Sequence, residues 1–301
     1  MKPGAVQHVA LKRRNLGPFY TGPMTLWFTV FFLVPVVIIV AYSFLRRGTY
    51  GGVEMEFTLD AYRSLADRIF VNVTLRTLRT AIVTTVITLL IALPCGYYMA
   101  RSKRQNLLLL LIIIPFWTNF LIRVFAWMNI LGNSGFLNEA LMRLGIIDAP
   151  VQFLFTQGAV VLVLVYMYLP FAILPLFASI DKFDFSLLEA ARDLGASKFS
   201  ALTRVLLPNI RGGIMTAVLF TFIPVFGAYA VPLLVGGRES YMLGNMIADQ
   251  LLSARNWPRA SAISMVITLV TTAGVMVTLS MRRRDALRLA MARNGVEGGV
   301  R

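Results

Sequence analysis

The residues that could do chemistry in this chain are few, and their scarcity is informative. There is one histidine, His8, and one cysteine, Cys95. A lone histidine in a basic tail leaves no cluster that could hold a transition metal and little room for a histidine acid–base relay. A lone thiol excludes an internal disulfide. No Gly-x-x-x-x-Gly-Lys-Ser/Thr run occurs, so ATP is not bound and hydrolysed here by a phosphate loop. Three sets of side chains remain. The first is Ser186-Leu-Leu-Glu189-Ala190-Ala191-Arg192, followed by Gly195 and by Leu207-Pro208, a pattern suited to a small docking element. The second is Arg123, a single positive charge inside an apolar run. The third is Trp117, Asn119, Trp127, Phe226 and Tyr229, whose aromatic members offer ring faces on which a cation can rest.

These side chains need a frame, and composition names it. Hydrophobic residues make up 57% of the 301 and charged residues only 14%, with a mean hydropathy of +0.72. A soluble fold could not cover that much apolar surface, so the chain belongs in a bilayer. Six stretches are long and apolar enough to cross: Met24–Leu45, Thr80–Met99, Leu107–Leu131, Gly158–Ser179, Gly213–Val235 and Ala260–Leu279. None contains Asp or Glu, and the third contains Arg123. The first is longer than a signal-peptide core and no small-x-small cleavage site follows, so it reads as an uncleaved span. The organisation expected is a tail over 1–23, a membrane domain over 24–279 and a basic tail over 280–301.

Orientation follows from the loops. With both ends on one side, that side carries 18 Lys and Arg and the other ten, which places both termini in the cytoplasm. The net charge of +15 is thereby a matter of topology and calls for no nucleic acid.

The longest inner loop, 181–211, has structure of its own. Ser186 and Glu189 have the spacing of a capping box, Ser186 accepting from the third helical amide. Leu187, Ala190, Ala191 and Leu194 share one face of the short helix that follows, and Glu189, Arg192 and Asp193 the other. Gly195 stands where a helix ends in a left-handed residue. A second helical piece carries Phe199, Leu202, Val205 and Leu206, and Pro208 breaks the ladder beyond it. Such an element suits either a membrane surface or a groove on a partner.

Glu189-Ala190-Ala191, three residues, Gly195, nine residues and Val205-Leu206-Leu207-Pro208 resemble the EAA signature of bacterial ABC importer permeases, with Val205 in place of Ile. The resemblance implies an all-α polytopic fold with six transmembrane helices, the type I ABC importer permease fold. It implies that 181–211 is a coupling loop seated in a cleft of a separate ATPase. Glu189, Ala190 and Ala191 would lie on the docking helix, Gly195 would make its turn and Pro208 would end it, with Ser186, Arg192 and Leu207 completing the coupling set. ATP and Mg would sit on the partner ATPase subunits, with no cofactor and no catalysis on this chain. The other partners implied are a second permease subunit, forming a heterodimer, an extracytoplasmic solute-binding protein and membrane lipid. The location implied is the bacterial inner membrane.

Ile114-Pro-Phe-Trp117-Thr-Asn119-Phe-Leu-Ile-Arg123, Gly236-Gly237 and Asn256-Trp-Pro258 resemble the spermidine/putrescine permeases, though such segments also occur in permeases for opines and other small solutes. Polyamine carriage fits the ring faces of Trp117, Trp127, Phe226 and Tyr229. Where that branch often carries an acid, near Gly227–Leu234, this chain has Ala228 and Leu233. An opine, an amino-acid derivative or another small solute is the alternative cargo. An ion-coupled secondary transporter is the rival class, and it would want ionisable acids within the spans.

Overall fold

A computed structural model describes the backbone of residues 17–298 and the side chains of residues 21–280; His8 and the outer parts of both tails lie outside the described residues. Gly17–Phe28 (α1), a π turn over Thr29–Leu33 and Val34–Ser43 (α2) make the first span. A short hairpin follows, Leu45–Arg47 (β1) paired antiparallel with Val53–Phe57 (β2). Next come Asp60–Arg63 (α3), the 34-residue Arg68–Arg101 (α4), Gln105–Ile113 (α5), Phe120–Leu131 (α6), Phe136–Arg143 (α7) and Gln157–Ile180 (α8). The inner loop holds Ser186–Asp193 (α9), Lys198–Ala201 (α10), a π turn over Leu202–Leu206 and Leu207–Asn209 (α11). Arg211–Phe226 (α12), Ala230–Val235 (α13), Leu243–Leu252 (α14) and Trp257–Gly298 (α15) complete the chain. Among the described residues the fold is all-α apart from the hairpin. Among the described residues five helices are long and apolar enough to cross a membrane, or six when the bent pair around Ile210 is counted as one span.

The core lies where α4, α8 and α12 pack on one another. The crossing of α8 and α12 is close because Gly213 has no side chain. A β-carbon there would overlap the Cβ of Ser179 and lie 3.0 Å from the carbonyl oxygen of Pro175. Gly213→Val is therefore expected to cost ~1–3 kcal/mol by overpacking. It should appear as a fall of several degrees in the thermal unfolding midpoint of detergent-purified protein.

Three departures from the expected spans have local causes. The second span starts at Arg68 rather than Thr80, because the outer third of α4 is polar in sequence yet helical. Its threonines conceal themselves by donating to the preceding turn, Thr77 to the Val73 carbonyl at 2.8 Å and Thr80 to that of Arg76 at 2.9 Å. The third stretch is not one helix. It breaks at Thr118 and Asn119, where Asn119 Oδ1 accepts from the Leu121 amide at 2.8 Å and starts α6 afresh. The fifth bends by 74° about Ile210 where it leaves the inner loop and breaks again over 227–229. Helix also reaches into both expected tails, since α1 starts at Gly17 and α15 runs to Gly298.

Both π turns end two residues before a proline: Thr29–Leu33 precedes Val34-Pro35, and Leu202–Leu206 precedes Leu207-Pro208. Proline lacks the N–H that would continue the ladder, and the amide ahead of it bonds one residue further back, Leu207 to the Leu202 carbonyl.

Candidate functional site

The inner loop folds back beneath the bundle on a small core of its own. Leu188, Ala201, Leu206 and Ile210 are buried with Ala100 of α4 and Ile180 at the end of α8. Phe185 meets Tyr97 edge-on at 6.1 Å and Phe183 at 5.6 Å, tying the loop to the inner end of α4. Gln105 spans the neighbouring gap, its Nε2 donating to the Ala100 carbonyl and to Asp181 Oδ1, both at 3.0 Å.

The cap of α9 differs from the capping box. Ser186 is the first helical residue and makes no cap of its own; Asp184 Oδ1 instead accepts from the Ser186 amide at 3.0 Å. An ionised carboxylate is the stronger acceptor and sits well at the positive end of a helix. The hydrogen bonds from Ser186 hold the Asp184 carboxyl below its ordinary range. A depressed carboxyl stabilises the fold above the ordinary aspartate range and loses that effect as pH falls through its own lowered value. Asp184→Ala should therefore lower the hydrogen-exchange protection factors of amides 186–189, as should acidification of the wild type below the ordinary aspartate range once corrected for the slower intrinsic exchange in acid, while protection factors in α8 stay unchanged.

The other end of α9 is as expected. Gly195 has φ +88°, and the Ala196 amide bonds to the Ala191 carbonyl at 3.0 Å while that of Gly195 bonds to Arg192 at 2.9 Å. These two bonds define a Schellman close.

The face of the helix turns out differently from the periodic reading. Leu188, not Leu187, is the inward anchor, with Ala191 half-buried beside it. Leu187 is 46% exposed, Leu194 89% and Phe199 75%, and Ala190 is also open. Glu189 and Arg192 are exposed on the flank, Leu207 is half-buried, and Pro208 is exposed at the bend. The loop thus presents an apolar tip of Leu187, Ala190 and Leu194 that stays exposed among the described residues.

The second candidate site is partly assembled. The Arg123 guanidinium lies over the Phe116 ring, 4.5 Å from its centroid. Phe116 stacks with Tyr166 at 5.8 Å, and Trp127 meets Tyr166 edge-on at 5.4 Å. Nε and Nη1 of Arg123 are buried without a hydrogen-bond partner among the described residues. The break at Asn119 returns the chain so that residue 116 and residue 123 face each other. Tyr166 and Phe116 escaped the sequence reading because a single aromatic in an apolar helix looks like ordinary packing. The remaining candidates lie apart in environment: Trp117 is 80% exposed, Tyr229 is open at the 227–229 break, and Phe226 is buried in the core, stacked on Phe222.

At the opposite end of the bundle, Tyr241 donates to Asp249 Oδ2 at 2.6 Å. Partial burial and this bond push the phenol well above its ordinary value. The pair ties the loop ahead of α14 to that helix.

Residues 89–286 match the family described as binding-protein-dependent transport system inner membrane component. The chain is 40% identical over 258 residues to the spermidine/putrescine transport system permease protein PotB of Escherichia coli (strain K12), covering 85% of this chain and 93% of that one. It is 39% identical over 246 residues to the PotB of Haemophilus influenzae, covering 81% and 86%. It is 31% identical over 261 residues to the inner membrane ABC transporter permease protein YdcU of Escherichia coli (strain K12), covering 81% and 82%. The fold is shared with a chain of the bacterial alginate ABC transporter solved with an alginate-bound periplasmic protein, at a TM-score of 0.72, 17% identity, and 89% and 94% coverage. An all-α membrane bundle, an inner loop with an uncovered apolar tip and relatives aligned over most of their length lead to one assignment: the chain belongs to the binding-protein-dependent transport system inner membrane components, as a permease subunit of an ABC importer.

Proposed function

We infer that the importer carries polyamines of the spermidine and putrescine type. The observation that carries this reading is the 40% identity to a spermidine/putrescine permease over 93% of that protein's length. The Phe116–Tyr166–Trp127 cluster supports it, because its Phe116 face already holds an organic cation, the Arg123 guanidinium. Ring quadrupoles attract ammonium groups without a fixed counter-charge. Trp117, Asn119, Arg123, Trp127, Phe226 and Tyr229 are the proposed contributors to the pathway and its packing.

The proposed machinery follows from the loop. Leu187, Ala190 and Leu194 at its tip, with Ser186, Glu189, Ala191 and Arg192 around them, engage a separate ATPase subunit, which holds ATP and Mg. Gly195, Leu207 and Pro208 give the element its shape. One chain supplies one such tip, so a second permease, most simply a different one, serves the second ATPase. A solute-binding protein delivers cargo at the outer loops, both termini lie in the cytoplasm, and alternating access comes from rocking of the two permease halves.

The test is uptake of labelled spermidine and putrescine into proteoliposomes holding the whole transporter, ATP inside and the loaded binding protein outside. Uptake that requires ATP and is competed by unlabelled polyamine supports the assignment. ATP-dependent uptake of an opine or amino-acid derivative with none of polyamine overturns it.

A further inference from the structure

A cleft of about 630 Å³ opens between the inner end of α4 and the loop helices α9 and α10. Its rim and its floor differ in chemistry. At the rim stand Arg101, Arg192 and Lys198, with Glu189 as the one acid. At the floor are Leu93 and Pro94 of α4. Arg101 is fixed in place: Nη1 donates to the Tyr97 hydroxyl at 3.2 Å, and the guanidinium lies 5.4 Å from the Phe185 ring centroid. Among the described residues the ion pairs lie elsewhere, at Arg46–Glu56, Arg63–Asp60 and Arg143–Glu139. Three cations therefore share one cleft with a single carboxylate, Glu189, which attracts Arg101 at a distance and forms no direct ion pair with any of the three.

We propose that this cleft binds an anionic phospholipid of the inner leaflet, its phosphate held by Arg101 and Lys198 and an acyl chain lying over Leu93 and Pro94. The depth favours lipid over a soluble protein. Leu93 lies eight residues inside α4 from Arg101, ~12 Å along the helix axis. A cationic rim with an apolar floor ~12 Å deeper matches a headgroup with the first half of a chain beneath it. In the coupling role proposed above a soluble ATPase takes the exposed tip at Leu187 and Leu194, which is not part of this cleft's lining. The surplus of positive charge selects an anionic headgroup over a zwitterionic one. Because Glu189 and Arg192 line both the cleft and the proposed coupling helix, the bound lipid braces that helix from its membrane side. Membrane charge thereby sets how firmly the coupling element is held. The proposal is independent of which solute is carried.

The test uses the complete transporter with its ATPase subunits. Native mass spectrometry of the complex purified from phosphatidylglycerol-containing nanodiscs should show retained phosphatidylglycerol. The Arg101→Gln/Lys198→Gln double variant should lose affinity by about fivefold per charge removed, about thirtyfold in all, while keeping its ATPase subunits. In proteoliposomes, replacing phosphatidylglycerol by phosphatidylcholine should reduce stimulated ATP hydrolysis in the wild type and leave the double variant unchanged. A photoactivatable phosphatidylglycerol should crosslink the wild-type complex at peptides spanning residues 93–101 and 198–202. Equal lipid retention in wild type and variant, crosslinks elsewhere only, or loss of the ATPase subunits without loss of lipid overturns the proposal. Failure of polyamine uptake bears on the cargo alone.

Discussion

Gly195→Asp is expected to abolish both solute uptake and the stimulation of ATP hydrolysis by loaded binding protein, with the chain still inserted at wild-type level. The geometry says why. Gly195 has φ +88°, and nothing lies within 4 Å of where its β-carbon would be. The effect of substitution is therefore conformational, not a clash within the chain. An L-residue held in the left-handed region costs ~1–2 kcal/mol, enough to open the Schellman close and re-aim Leu194. Aspartate adds a negative charge at the helix end whose carbonyls already carry the negative pole. The ranking of substitutions separates the causes. Asn tolerates the left-handed region and should retain most activity; Ala should be intermediate and Asp null. Membrane-fraction immunoblots check insertion, and ATPase and uptake assays in proteoliposomes check coupling. If Asp leaves both activities intact, residues 186–208 do not couple the permease to its ATPase.

Arg123→Met is expected to raise the thermal stability of the isolated permease chain and to lower uptake by the whole transporter about tenfold or more. Two effects oppose each other at this position. A guanidinium with Nε and Nη1 buried and unpartnered pays for desolvation that Phe116 alone does not return in full. Replacing an unpaired charge here by an apolar residue of similar length removes that desolvation cost. The pathway role proposed for Arg123 makes activity fall as stability rises. Scanning fluorimetry on the purified chain and uptake by the reconstituted transporter give the two readings. Loss of stability with unchanged uptake would reassign Arg123 to packing alone.

Much of the frame was legible because it rests on long-range hydropathy. The six spans, the long inner loop and the EAA spacing are properties of composition and order, and each has its counterpart in α1–α2, α4, α5–α6, α8, α12–α13 and α15. The failures share a cause: each depends on a single polar atom or on one helix turn. Hydropathy cannot see that Thr77 and Thr80 bond to their own backbone, so the start of α4 was placed inside the helix. Asn119 looked like one polar residue in a span, and only its bond to the Leu121 amide makes it the start of a new helix. Asp184 and Ser186 are both good caps by type, and the pairing is decided by where Phe185 must sit to reach Tyr97. With that anchoring α9 turns Leu188 inward and leaves Leu187 and Leu194 exposed. The contact of Phe116 with Arg123 spans a helix break that was itself unforeseen.

The 34 residues of α4 form one continuous rod, ~51 Å long. Its inner end bears on the loop through Tyr97 and Phe185. Near its outer end Arg76 Nη1 donates to the Arg238 carbonyl at 3.3 Å, and Thr77 Oγ1 accepts from the Leu243 amide at 3.0 Å. A lever of that length converts a tilt of about 10° into roughly 9 Å of travel at its tip. Under the coupling role proposed above, a push on the loop end of this helix is carried to its far end by the same element, with Pro94 as its one built-in point of give.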